Sequence, residues 1–392
     1  MSRLESGNRS PTPRVTQILA DRLGVPLVEL VHENSPGLTT LLAEYQSAEN
    51  SRPEESEQIG RILSGSVDVD PTVKWQALWT LVKSDSNPDL AHLADLVKVA
   101  EQLGAPTLLC RSEALYSRWL RVRGRYVEAR DHARRGLAAS AGGQVADRAS
   151  ALQSLIAAEA DQGHLAEARQ HADELLQVVE GERGPALTEA LWANATVHVL
   201  EGDNQGAVSL LARAVEETDA REDLTLWFRV HMASASLFLQ LDPQDPASAR
   251  ERLRTIEPVV SLLAQPRQQQ EYRALVAHLA LAEGEWDMAA AIAEELLADP
   301  NSLLSHRDQV RLRTLLGRAK ILDGEQDVGV EELKELARGV ASGALSLEIY
   351  RVLANALAEI VVQGSGQDAE ATLGRHRDGP SVADGTPSSP TT

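Results

Sequence analysis

The sequence predicts an all-α protein, in which an α-hairpin solenoid follows a short separate helical segment. Ala and Leu dominate the apolar residues of the 392-residue chain, and aromatic residues make up only 3%. This composition favours helices, because strands are enriched in aromatic and β-branched residues. A glycine-centred pattern also recurs along the chain at a nearly constant spacing. Since a lone helical hairpin cannot bury its apolar faces, repeated hairpins must stack into an array.

The first element is a short helical segment near the N-terminus, in TPRVTQILADRLGVPLVEL from Thr12. Thr12 is a favourable N-cap and Pro13 a favourable first helical residue. Gly24 ends the helix, and Pro26 begins the next short one. Periodicity alone therefore predicts a small amphipathic helical piece over residues 12–30. A helical connector is predicted at 33–69, between the N-terminal segment at 1–32 and the array.

This segment resembles the C-terminal half of the Cro-like helix-turn-helix domain, the XRE family. The end of the recognition helix, the turn after it and the end of the fourth helix are matched by Ser2, Leu4, Glu5, Gly7, Asn8, Arg9, Pro11, Leu23, Gly24 and Val25. The resemblance implies a DNA-binding transcription regulator. Helices one and two and most of the recognition helix have no counterpart, so it implies only phosphate contacts here, by Arg3, Asn8 and Arg9.

Two interpretations of this partial helix-turn-helix remnant are open. In one, translation starts upstream, and the protein is a complete regulator that binds DNA through the missing helices. In the other, the protein starts at Met1 and is a solenoid that does not bind DNA. The intact fourth helix and its cap favour the first interpretation.

The array is predicted from five glycines: Gly124, Gly163, Gly202, Gly284 and Gly324. Their spacings are 39, 39, 82 and 40 residues, and the value of 82 corresponds to two periods. The intervening copy is predicted near LDPQDPASARERL, where prolines replace the turn glycine. A further degenerate copy is predicted near Asp85.

Each glycine marks a tight break between two helices. A larger residue two positions later, such as Tyr126, Leu165 or Trp286, is predicted to pack the corner. A small residue five positions after the glycine is predicted where the two helices cross closely, namely at Ala129, Ala168, Ala207 and Ala289.

The resulting pattern, G-x-Y-x-x-A, resembles the tetratricopeptide (TPR) repeat and predicts a solenoid over residues 70–363. The resemblance implies that the concave face holds a peptide or protein segment. The tail at 364–392 is rich in Gly, Ser, Pro and Thr, a composition typical of disorder.

Counting back from each glycine gives the positions that line the concave face in the TPR family. They fall on Arg111, Arg118, Arg121, Gln153, Trp192, Thr196, His278, Arg311, Thr314 and Arg318. Arginines at both ends suit an acidic peptide or a free carboxylate. The alternative is that these are ordinary solvated residues.

Other functions are disfavoured by composition and motifs. A net charge of −20 repels nucleic acid overall. No catalytic motif is present, so an enzyme is not expected, nor a cofactor or metal; His164 and His171 lack a third ligand. Cys110, the single cysteine, is expected to be buried. No signal peptide or membrane span is evident, which predicts a cytoplasmic protein.

Together these features predict a bacterial transcriptional regulator whose solenoid binds a peptide or protein and controls a helix-turn-helix domain. Arg greatly outnumbers Lys, of which there are five, as is typical of GC-rich actinobacteria. The combined resemblance to peptide-sensing regulators implies a homodimer, in which ligand binding re-spaces two DNA-reading helices. The alternative is a TPR scaffold that binds another protein without contacting DNA.

Overall fold

The computed structural model describes residues 59–60, 63, 70–263, 265–340 and 354, 356 and 358. The predicted helix-turn-helix segment at 1–32, with Arg3, Asn8 and Arg9, lies outside the described residues. So do most of the connector and the whole of the tail at 364–392.

Between residues 70 and 340, the described chain forms fourteen α-helices and no strand. The helices are α1 Pro71–Ser84, α2 Leu90–Leu103, α3 Pro106–Val122, α4 Tyr126–Ala139, α5 Val145–Gln162, α6 Leu165–Val178, α7 Pro185–Glu201, α8 Asn204–Glu216, α9 Leu224–Phe238, α10 Pro246–Leu263, α11 Pro266–Ala282, α12 Trp286–Ala298, α13 His306–Leu322 and α14 Gln326–Val340.

Consecutive helices pair into seven hairpins within these described residues, and the hairpins stack in chain order. The first helices also pack side by side from one hairpin to the next, as α3 with α5, α5 with α7 and so on to α13. They therefore form an inner layer, with the second helices outside. This architecture confirms the predicted all-α hairpin solenoid.

The turns lie where the repeat pattern predicts them. Gly124, Gly163, Gly202, Gly284 and Gly324 all have left-handed backbones, with φ between +74° and +96°. Glycine adopts this conformation at little cost because it has no Cβ. The two degenerate copies also form hairpins: α1 and α2 meet around Asp85, and α9 and α10 meet around a cis Asp242–Pro243 bond.

The two helices of a hairpin cross as closely as the small residue at the crossing predicts. The four predicted alanines of these crossings are all 0% exposed. In the last hairpin Gly329 takes the same slot, where an added Cβ would lie 2.3 Å from the Gly317 carbonyl oxygen. At the corners, Tyr126 is buried. Trp286 is 37% exposed, and its indole nitrogen would lie 4.0 Å from a Cβ added at Gly284, so the ring lies against the turn with part of its surface in solvent.

Two predictions from composition can be compared with the described residues. Cys110 is buried, as expected. Its Sγ lies 3.4 Å from the carbonyl oxygen of Asp147. No helix that the structure describes has the length and apolar character of a membrane span.

The stacked hairpins curve until the array meets itself. Arg267, at the start of α11, donates from Nη2 to the carbonyl oxygen of Ser86 at 2.8 Å. Its guanidinium carbon lies 5.0 Å from the centroid of the Trp119 ring. His306, at the start of α13, packs against Gly124 so closely that an added Cβ would lie 2.7 Å from the imidazole. The inner layer therefore encloses an interior space.

Candidate functional site: a cavity enclosed by the first helices

The interior space is a cavity of about 760 Å³. Its lining residues come from all seven first helices of the described hairpins, α1 to α13. This location follows from the stacking, because the inner layer consists of those helices. The cavity is thus a product of the whole array and belongs to no single repeat.

Eight of the ten residues predicted for the concave face line this cavity. They are Arg111, Arg118, Arg121, Gln153, Trp192, Thr196, His278 and Arg311. Thr314 and Arg318 are not among the lining residues. Thr314 is 1% exposed and its hydroxyl donates to the Val310 carbonyl oxygen at 2.9 Å, so it packs within the helix layer.

Two of the arginines join neighbouring first helices. Arg111 Nε donates to Asp147 Oδ1 at 2.8 Å, and Arg121 Nε donates to Asp161 Oδ2 at 2.6 Å. Both pairs link α3 to α5, and both carboxylates are buried. These ion pairs hold the inner layer together and neutralise two of the predicted ligand-binding charges.

A second polar network centres on Glu189 of α7. Its carboxylate accepts from Gln153 Nε2 at 3.3 Å and from Arg229 Nη1, also at 3.3 Å. The Arg229 guanidinium carbon lies 5.5 Å from the centroid of the Trp192 ring. The Thr196 hydroxyl donates within its own helix, to the Trp192 carbonyl oxygen at 3.1 Å. Helices α5, α7 and α9 thus contribute to one polar wall.

Sequence reasoning missed half of the cationic residues of the cavity, namely Lys83, Arg229, Arg267 and Arg307. Lys83 and Arg229 belong to the two hairpins whose turns lack glycine, so no glycine was available to count back from. Arg267 and Arg307 lie at the starts of α11 and α13 and reach the cavity because the array closes there. For Lys83 and Arg229, the available signal was the pair of degenerate repeat copies, SDSNPDLAHLADLVKVA and LDPQDPASARERL, which mark the turns of these hairpins without a glycine.

The cavity carries an excess of positive charge. Its described lining has eight cationic side chains and four carboxylates, a net of four positive charges in a chain of net charge −20. The net is three when Asp147, which pairs with Arg111 from behind the lining, is counted. The cations are Lys83, Arg111, Arg118, Arg121, Arg229, Arg267, Arg307 and Arg311, and the carboxylates are Asp161, Glu189, Glu271 and Asp308.

Enclosure changes the protonation of the central carboxyl, Glu271. Burial and the neighbouring Asp308 raise its pKa to about 7, against the opposing effect of Arg267, Arg118 and Arg307. A carboxyl with this pKa is a mixture of acid and carboxylate at neutral pH. The positive character of the cavity therefore grows as the pH falls through 7.

Enclosure also affects the basic groups. Burial lowers the pKa of His278 well below its usual value, and Arg311 and Arg318 lower it further, so the imidazole is neutral at pH 7. The Arg118 side chain is exposed to the cavity, but protein surrounds it. Burial and then Arg229 lower the pKa of its guanidinium, which still stays charged.

The described residues contain no group of three His, Cys, Asp or Glu side chains placed to hold a metal ion. His171 Nδ1 instead lies 2.7 Å from the buried carboxylate of Glu159. Burial raises the pKa of the Cys110 thiol to about 11, which disfavours the nucleophilic thiolate. The chemistry present on the cavity wall is that of charge and hydrogen-bond recognition.

Comparisons with known proteins establish the fold class. No protein-family model matches the sequence, and no curated protein matches it. Among solved structures, the chain is similar to a Rap protein in complex with competence and sporulation factor, with 12% identity and a TM-score of 0.53. That alignment covers 84% of this chain and 100% of the Rap chain. This is a TPR-like helical repeat fold.

A second solved structure is a tetratricopeptide repeat protein from Parabacteroides merdae, with 15% identity and a TM-score of 0.38. That alignment covers 72% of this chain and 98% of the other.

Proposed function

We propose that the solenoid is a receptor for an acidic peptide or protein segment, which binds inside the cavity. The observation that carries this proposal is the net of four positive charges on the described cavity lining, in a chain whose net charge is −20. Low-dielectric walls focus the field of such charges and attract an anionic ligand. Charge-assisted bonds from Arg to carboxylate then hold it.

The dimensions of the cavity support a small ligand. Its volume of about 760 Å³ lies within the range of roughly 300–1,000 Å³ that is typical of small-ligand sites. A few residues of an extended peptide fit such a space, whereas a folded domain does not. The Rap structure contains competence and sporulation factor; its likeness to this chain, at 12% identity, extends to the fold.

The peptide receptor is proposed to control DNA binding by a helix-turn-helix domain, in agreement with the resemblance of residues 1–32. In this proposal Arg3, Asn8 and Arg9 contact phosphates, and the solenoid supports a homodimer. Ligand binding would alter the packing of the inner layer, which all seven described hairpins share. Without the DNA-binding helices, the same receptor would act as a scaffold for a protein partner.

A series of peptides that have the same length and differ in charge tests the receptor function. Short labelled peptides with acidic, neutral and basic residues at the same positions are compared by fluorescence anisotropy. We expect the acidic peptides to bind. The double variant with Arg118→Gln and Arg229→Gln should bind them at least about tenfold more weakly, because charged contacts are removed from an enclosed site. Arg134→Gln, at an exposed position of α4, is the matched control. Equal binding of the neutral peptides would rule out the proposal.

The DNA-binding function requires a separate experiment. The reading frame upstream of Met1 is translated, and a protein that includes any added helices is tested for DNA binding with and without the acidic peptide. If the protein is a regulator, the added sequence should contain helices one and two and the rest of the recognition helix. The acidic peptide should then change the electrophoretic mobility shift of the DNA. A stop codon immediately upstream would support the scaffold alternative.

A further inference from the structure

Three cationic side chains from distant parts of the sequence line the same cavity. They are Lys83 of α1, Arg118 of α3 and Arg229 of α9. Enclosure lowers the pKa of Lys83, and the charges of Arg118 and Arg229 lower it further. Arg229 likewise lowers the pKa of Arg118. Burial and neighbouring cations thus disfavour the charged forms of Lys83 and Arg118.

Neutralising groups are few at this cluster. In the described part of the chain, neither Lys83 nor Arg118 has a carboxylate within 4.0 Å. Arg229 is paired with Glu189, which also accepts from Gln153. Two carboxylates, Glu189 and Glu271, therefore act on these three cations. Cations enclosed with little compensation are costly, and an anionic ligand group would offset that cost.

Two indole rings lie beside these cations. The Nζ atom of Lys83 is 5.9 Å from the centroid of the Trp79 ring, and this ring stacks on Trp75 with 5.1 Å between the ring centroids. Arg229 lies 5.5 Å from the ring of Trp192. Cation–π contacts at these distances hold the charged groups against flat apolar surfaces. The cluster therefore presents positive charge next to aromatic area.

We infer that Lys83, Arg118 and Arg229 form a subsite for a carboxylate carried next to an apolar or aromatic group, with Trp79 and Trp192 contacting the apolar part. This inference rests on the proposed function and assigns the side chains that anchor the ligand. Such a group is either the C-terminal residue of a peptide or an acidic side chain beside an apolar one.

A small probe tests the subsite without a known peptide. Binding of 4-fluorobenzoate to the full chain is measured by fluorine NMR, with neutral 4-fluorobenzamide as the isosteric comparison. We expect saturable binding of the benzoate alone. Lys83→Gln with Arg118→Gln should weaken it by at least about tenfold, because two positive charges are lost from the subsite. Arg134→Gln with Arg213→Gln, at exposed positions of the second helices, should leave it unchanged.

A second variant covers the case in which the double substitution prevents folding. Glu189→Gln keeps the size of the side chain but removes the negative charge, with an NH2 group in place of one of the two acceptor oxygens. Benzoate should therefore bind several-fold more tightly. Equal binding of benzamide, or benzoate binding unaffected by these substitutions, would overturn the subsite.

The acidic peptides separate this inference from the proposed function. If these peptides bind equally to the wild type and to the double variant with Lys83→Gln and Arg118→Gln, the proposed receptor function is supported and the proposed subsite is wrong. If no acidic peptide binds while the benzoate result holds, the receptor fails and the subsite stands. C-terminal amidation of a binding peptide distinguishes the two sources: a loss of affinity identifies the terminal carboxylate, and no loss identifies a side chain.

Discussion

Glu271 links the enclosure of the cavity to its charge. Burial and Asp308 raise its pKa to about 7, although three arginines oppose the shift. An anionic ligand in the cavity would raise this pKa further, because it adds negative charge nearby. Ligand binding and proton binding by Glu271 should therefore favour each other.

This coupling predicts a pH-dependent affinity. Binding of 4-fluorobenzoate should strengthen as the pH falls from about 8 to about 6, because Glu271, with its pKa of about 7, gains its proton over this range. Glu271→Gln should bind the probe at pH 8 as tightly as the wild type does at pH 6. Fluorine NMR titrations at both pH values measure this. The exposed Glu167, changed to Gln, is the control; a wild-type affinity that does not vary with pH would contradict the coupling.

The same carboxyl also predicts a pH-dependent stability. Because its pKa is raised from 4.5 to about 7 on folding, its favourable contribution is complete below the unfolded pKa and is lost as the pH rises through 7. Glu271→Gln should therefore have a higher Tm than the wild type at about pH 8 and a similar Tm at about pH 4.5. Thermal unfolding followed by circular dichroism measures this difference. A lower Tm for the variant at the higher pH would show that Glu271 is instead stabilised as a carboxylate.

At the scale of elements, the hairpin is set by its turn glycine and its small crossing residue. Ala168 of α6 is 0% exposed, whereas Ala166 on the same helix is exposed. A larger side chain at the crossing forces the two helices apart, since packed interiors have no spare volume.

Ala168→Leu should therefore destabilise the protein by about 1–3 kcal/mol. Ala166→Leu is the matched control, because it adds the same atoms to the same helix on its solvent side. Urea unfolding followed by circular dichroism measures both free energies. Equal stabilities would show that the crossing at Ala168 tolerates wider helix spacing.

The inner face was predictable where a hairpin keeps its glycine. Counting from Gly124 placed Arg111, Arg118 and Arg121 correctly on the cavity side. It could not locate Lys83 and Arg229, since their turns are built with Asp and Pro residues instead. Counting from Gly324 reached Thr314, which is buried between helices, because a position in the repeat specifies a helix face and not the depth of a side chain.

At the scale of the molecule, the closure depends on a few contacts between distant hairpins. Arg267 joins the sixth described hairpin to Ser86 in the turn of the first, 181 residues away. Arg307 approaches Asp161 at 3.9 Å. These contacts enclose the cavity and so maintain the local environment on which the shifted pKa values depend.

Arg267→Ala should open the array. We expect a larger radius of gyration by small-angle X-ray scattering, a loss of about 1–3 kcal/mol in stability and weaker binding of 4-fluorobenzoate, since a charged hydrogen bond and a cation–π contact are removed. Arg273→Ala is the control, because Arg273 lies on the same helix and pairs locally with Glu295 of α12. An unchanged radius of gyration for Arg267→Ala would show that other contacts suffice to close the array.

The sequence by itself determined the helices, the turns and the hairpin repeat. These depend on local patterns: an apolar stripe, a left-handed glycine such as Gly202 and a small crossing residue such as Ala207. The tertiary structure decided the enclosed cavity and its surplus of positive charge. Both arise from small rotations that accumulate over seven described hairpins. That accumulated curvature brings Lys83, Arg118 and Arg229 to one cavity, and no pattern within a single repeat encodes it.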